Sequence, residues 1–125
     1  MRCFYQGHQR ESEGLTGELG YVSFTIPDYG ISFRAQFSGG NEECEYASLL
    51  ALLEFVELNP HLFKSKRIEI FGNNYRVISQ VNKQINVPSD LEPYNDIALG
   101  YKKKFPFTLR WIPDNENPAQ DQICA

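Results

Sequence analysis

Three cysteines and two clusters of cations carry the most accessible chemistry in this sequence. Cys3, Cys44 and Cys124 contain no C-x-x-C pair, and any disulfide pairing leaves one of them over. A disulfide framework or a tetrahedral zinc centre needs more than that, so all three read as reduced thiols, a residue type often simply buried. Lys64, Lys66 and Arg67 form one basic cluster, and Lys102, Lys103 and Lys104 form another. Combined with exposed aromatics, such clusters can hold phosphates and stack bases. The chain as a whole works against that use. Twelve Lys and Arg against sixteen Asp and Glu give a net charge of −4, which opposes sequence-independent binding of a polyanion. A lysine run near a helix C-terminus is also favoured there by the helix dipole alone.

These groups must be positioned by one domain spanning residues 1–125, a length that buries roughly two-thirds of its unfolded surface. With 42% hydrophobic and 22% charged residues, the chain is too rich in core-forming side chains to be disordered. The longest apolar run, residues 47–53, is followed directly by Glu54 and falls far short of the ~20 residues a bilayer crossing needs. The first residues turn polar before a signal-peptide core forms, so a cytoplasmic location is expected.

An aromatic strand is expected over residues 2–6, then a glycine-bearing connector over 7–20. Alternation predicts strands over 21–26 and 31–37, joined by the turn Pro27-Asp28-Tyr29-Gly30, whose glycine can take positive φ. Tyr46, Leu49, Leu50, Leu53 and Val56 then recur at helical spacing, with Asn41 as N-cap and Glu42 and Glu43 at the positive end of the dipole. Asn59-Pro60 ends that helix. A strand over 67–71 exits through Gly72-Asn73-Asn74 into a short helix carrying Val77, Ile78 and Val81. Ser89 is placed to cap a helix with Leu91, Tyr94, Ala98, Tyr101 and Phe105 along one stripe. Pro106 breaks it, a strand follows over 108–112, and a polar turn leads to a helical stub over 118–125. The fold class is therefore α/β: a five-stranded mixed sheet, antiparallel through its first three strands and parallel in its last two, with helices on both faces.

Four landmarks in this order resemble the ribonuclease H family, and the match spans nearly the whole chain. The first strand Cys3-Phe4-Tyr5-Gln6-Gly7 stands where the family has aspartate then glycine, before a connector carrying Gly14, Gly17 and Gly20. Glu45 precedes a small-residue and leucine helix, Ala47-Ser48-Leu49-Leu50. Ile68 to Val77 is similar to the family's strand, aspartate-serine and helix segment, with Asn73 and Asn74 at the junction. Trp111-Ile112-Pro113 leads to Asn117 and, four positions on, Asp121, like the family's tryptophan strand, asparagine and helix-borne aspartate.

The resemblance implies hydrolysis of the RNA strand of RNA–DNA hybrids by two Mg²⁺ ions held by three aspartates and one glutamate. Those positions fall here on Gln6, Glu45, Asn73 and Asp121. Two carboxylates remain and two are amides, and Gln6 replaces the aspartate that the family uses to bridge both ions. Because Mg²⁺ dehydrates reluctantly and two dications repel, a two-metal site is not expected to assemble. Neither Glu11 and Glu13 in the connector nor Glu69 in the strand is placed to substitute. Neither His8 nor His61 stands where some members carry a histidine, before the last aspartate. Glu45 is expected to hydrogen-bond to the Gln6 or Asn73 amides in a metal-free polar cluster.

The favoured reading is thus a non-catalytic binding or scaffolding module with no cofactor and no metal, whose partner is an unidentified protein or a second copy of the chain. A last helix shorter than the resemblance implies would leave a packing face for such a copy. Two alternatives stay open: a divergent nuclease using Mg²⁺ and another ligand set on RNA–DNA hybrid, and a non-cleaving nucleic-acid binder using Lys64, Lys66, Arg67 and Lys102 to Lys104.

Overall fold

A computed structural model of the chain describes residues 1–10 and 19–119. Glu11, Glu13, Asp121, Cys124 and most of the expected stub over 118–125 lie outside the described residues.

Five strands, β1 (Arg2–Arg10), β2 (Leu19–Ile26), β3 (Ile31–Ser38), β4 (Glu69–Gly72) and β5 (Thr108–Trp111), form one sheet in the order β3-β2-β1-β4-β5. β1 pairs antiparallel with β2, and β2 with β3, while β4 lies parallel to both β1 and β5. The helices are α1 (Asn41–Leu58), α2 (Pro60–Phe63), α3 (Tyr75–Val81) and α4 (Glu92–Lys104). The expected five-stranded mixed sheet is therefore present. Among the described residues the helices form one layer, with α1 on β1 and β2 and α3 and α4 beside it. The helix expected on the second face lies beyond Ala119.

Alternation sorts the sheet's side chains. Cys3, Tyr5, Phe24, Ile26 and Ile70 point into the helical layer and are closed to solvent or nearly so. Phe4 and Phe71 stack on the opposite face, ring centroids 5.4 Å apart, and remain half-buried. α1 buries more than a stripe, adding Cys44, Glu45, Ser48 and Leu52 to the expected Tyr46, Leu49, Leu53 and Val56.

Several boundaries differ from expectation, each for a local reason. β1 runs four residues past Gln6 because its ladder with β2 continues from Gly7↔Val22 to Arg10↔Leu19, and pairing outweighs polar composition there. The N-cap of α1 is Gly40, not Asn41: the Gly40 N–H donates to Glu43 Oε1 at 3.1 Å, while Asn41 Oδ1 accepts from the Gln9 N–H at 3.3 Å. Ser89 does not cap α4, whose N-cap is Leu91 with Pro93 in the first turn. Gly30 takes the expected left-handed conformation, φ 63°.

Asn74 performs its expected task, its Oδ1 accepting the Val77 N–H at 3.0 Å at the start of α3. Asn74→Ala is expected to lower stability by about 1 kcal/mol while Asn74→Asp retains it. Urea unfolding of the two variants checks this, and equal loss in both would show that the cap contributes nothing.

Gly7 is where β1 and α1 approach most closely. A Cβ there would sit 2.1 Å from the Cys44 carbonyl carbon and oxygen and 2.3 Å from the Glu45 nitrogen. The absence of a side chain lets the helix lie on the strand and delivers Glu45 to the strand's edge.

Candidate functional site

β1 and β4 run side by side only as far as Phe4↔Phe71. Beyond that register β1 continues along β2, while the chain leaves β4 through Asn73. Gln6 and Asn73 therefore stand at the carboxyl-terminal end of the parallel pair, with Glu45 brought in from α1. The loop after β5 closes the site: Asn117 Nδ2 donates to the Tyr5 carbonyl and to Asn73 Oδ1, both at 2.9 Å. Asn73 Nδ2 donates to Asp114, and the Trp111 indole donates to the Asn73 carbonyl at 3.1 Å. Below Gln6, its backbone carbonyl receives the hydroxyls of Ser23 and Ser48, each at 2.9 Å, which ties β1 to β2 and α1.

Three of the four positions carried over from the resemblance are thus adjacent to one small pocket, and the fourth, Asp121, lies outside the described residues. The expected amide donors to Glu45 are not found. Asn73 spends its amide on Asp114 and Asn117, and Gln6 offers none: its Oε1 and Glu45 Oε2 are both buried with no hydrogen-bond partner. What reaches Glu45 is the backbone N–H of Gly7.

Glu45 is 3% exposed. Burial, partly opposed by the Gly7 N–H and assisted by the charge on Asp114, pushes its carboxyl up to about 8. At neutral pH it is a neutral acid. Tyr5, fully buried beside it, is raised well above the usual phenol range, first by burial and then by the neighbouring Glu45 charge.

The residues present do not fit a pair of magnesium ions. Among the described residues no three His, Cys, Asp or Glu side chains are grouped to hold a metal. The one buried carboxyl is protonated at pH 7, and Asn73 presents no unused amide atom. Two dications about 4 Å apart repel by roughly 17 kcal/mol at an effective dielectric of about 20. One exposed carboxylate, Asp114, does little to offset that. Asp114 is the site residue that sequence reasoning treated only as turn. Nothing in Pro113-Asp114-Asn115 distinguishes a side chain that folds back on Asn73 from one in solvent.

The basic residues divide. Lys64, Lys66 and Lys104 line one groove, and Arg67 lies in the next depression with Lys66 and Arg110. Lys104 pairs with Glu57 at 2.9 Å. Lys102 turns elsewhere, donating to Asn82 Oδ1 at 3.3 Å and lying over the Phe107 ring, and Lys103 is exposed. This surface is at the amino-terminal ends of β4 and β5, away from the pocket. Cys3 and Cys44 are buried, and burial pushes the Cys3 thiol up to about 12.

No family model matches the chain. Solved structures do. LC11-RNase H1, isolated from compost by a metagenomic approach and solved in complex with RNA/DNA hybrid, aligns at TM-score 0.77 and 16% identity over 98% of this chain and 91% of its own. RNase H1 from the halophilic archaeon Halobacterium salinarum aligns at 0.67 and 20% identity over 98% and 94%. An N-terminal ribonuclease H domain from Mycobacterium tuberculosis aligns at 0.68 and 15% identity over 98% and 89%. At these identities the shared property is the fold.

Proposed function

We propose that this chain, a ribonuclease H fold, does not cleave RNA–DNA hybrid and serves as a non-catalytic binding or scaffolding module in the cytoplasm. The observation that carries the reading is the neutral pocket. Gln6 and Asn73 stand where the resemblance puts aspartates, and Glu45 is a buried acid that keeps its proton at pH 7. Phosphodiester hydrolysis by two metals needs that pocket strongly anionic. Here its polar atoms are engaged in holding β1, β4 and the loop after β5 together. No helix among the described residues is long and apolar enough to cross a membrane, in keeping with a module that works away from the bilayer.

The test is a labelled RNA–DNA duplex incubated with the unmodified chain and Mg²⁺ or Mn²⁺. No cleavage above the buffer blank is expected, and turnover that disappears in Glu45→Ala would overturn the reading. The converse experiment restores charge. In Gln6→Asp/Asn73→Asp the second substitution replaces the amide that donates to Asp114 with a carboxylate facing it, a repulsion that a bound cation relieves. Calorimetry is expected to register Mn²⁺ binding in this variant and none in the unmodified chain.

A second reading, hybrid binding without cleavage, is favoured by one observation: LC11-RNase H1 holds an RNA/DNA hybrid on this fold. It requires affinity that falls steeply with salt.

A further inference from the structure

The largest concavity among the described residues, about 960 Å³, lies at the opposite end of the parallel strands from the pocket. Its floor is apolar. Val56, Phe63 and Ile68 are nearly closed to solvent and Phe105 is half-buried. Its rim is cationic, with Lys64 and Lys66 from the loop before β4 and Lys104 from the end of α4. In a chain of net charge −4, six of the twelve Lys and Arg fall in residues 64–67 and 102–104. Among the described residues neither Lys64 nor Lys66 has an ion-pair partner, and Lys104 is held by Glu57. Between the two free lysines Ser65 adopts a left-handed φ of 61°, a conformation that costs a non-glycine residue about 1 kcal/mol. The Lys66 N–H closes this turn onto the Phe63 carbonyl at 3.1 Å. The lysine pair is thus carried on a tight, mildly strained bend.

We propose that this groove docks an acidic peptide segment of a partner protein, with large apolar side chains seated on the floor and carboxylates on Lys64, Lys66 and Lys104. Charge complementarity selects the sign of the partner, and the closed floor selects a peptide over a nucleic acid. Base stacking needs an open ring face, whereas Phe63 is 6% exposed and Glu57 stands at the rim where a phosphate chain would run. The proposal is independent of whether the distant pocket cleaves anything.

Fluorescence anisotropy with a labelled peptide repeating the unit Glu-Glu-Leu-Phe tests it on the full chain. Saturable binding at low salt is expected. Lys64→Glu/Lys66→Glu, both at exposed positions, should weaken it at least about tenfold, and an all-glutamate peptide should bind at least about tenfold more weakly. Glu57→Gln, which removes the competing carboxylate, should tighten binding about twofold or more, while Lys103→Glu should leave it unchanged. Four results would each overturn the proposal. They are no saturable binding at low salt, binding indifferent to Lys64→Glu/Lys66→Glu, an oligothymidylate that binds more tightly than the peptide and displaces it, and a dimer by light scattering that the same double variant dissolves.

Discussion

Gly7→Ala is expected to remove most or all of the native stability. The added carbon would lie 2.1 Å from two backbone atoms of Cys44 and 2.3 Å from the Glu45 nitrogen, so no side-chain rotation relieves the overlap. The strand and helix must separate by more than an ångström. That shift breaks the Gly7 N–H bond to Glu45 and pulls Ser48 from the Gln6 carbonyl. Overpacking costs about 1–3 kcal/mol even when side chains yield, and rigid main chain puts this substitution at the top of that range or beyond. Total stability is only about 5–15 kcal/mol for a domain of this kind. Gly20→Ala supplies the contrast. Its Cβ meets the Cys44 sulfur at 2.3 Å, an obstacle that Cys44→Ala removes, so Gly20→Ala/Cys44→Ala should recover much of what Gly20→Ala loses. Urea unfolding of the series checks both, and a Gly7→Ala midpoint equal to the unmodified chain would refute the close approach.

The second large effect is on pH dependence. Glu45 in the folded chain holds its proton to about pH 8, against 4.5 ordinarily. Below pH 4.5 folded and unfolded chains are both protonated at this residue, and its stabilising proton is fully present. Between about 4.5 and 8 the unfolded chain releases that proton and the folded chain keeps it, so rising pH favours unfolding by about 1.4 kcal/mol per unit. By pH 8 the contribution is lost. Glu45→Gln has nearly the same shape and cannot ionise. Its melting temperature should therefore match the unmodified chain near pH 4.5 and exceed it by about 10 °C or more at pH 8.5. Asp114→Asn, which removes the like charge that raises Glu45, should flatten the slope in part. Parallel melting curves for the unmodified chain and Glu45→Gln across that range would mean that Glu45 is ionised throughout, and the neutral-pocket reading would go with it.

The sheet and its order were legible because each strand is bounded by strong punctuation: Pro27 to Gly30, Gly72 to Asn74, and Pro106. The extent of β1 was not, since Gly7 to Arg10 is polar and its strand state is imposed by Val22 to Leu19 across the ladder. Gly40 displaced Asn41 as N-cap because Glu43 reaches back to it and Gln9 claims the Asn41 oxygen. Both are contacts between distant or reciprocal groups that one residue type does not reveal. In the site, the positions of Gln6, Glu45 and Asn73 followed from the resemblance, whereas their bonding did not. Asparagine and glutamine both donate and accept, and only the packed loop decides that Asn73 serves Asp114 and Asn117 and leaves Glu45 to the Gly7 backbone.

The Gln6 carbonyl, held at once by hydroxyls from β2 and α1, makes those two elements and β1 open together. Hydrogen exchange in this central block should proceed only through global unfolding, whereas the outer strands β3 and β5, each paired on one side, can open locally. A partner that seizes the groove beside α2 would therefore grip the edge of a rigid body, and its docking would leave the slowest-exchanging amides where they are.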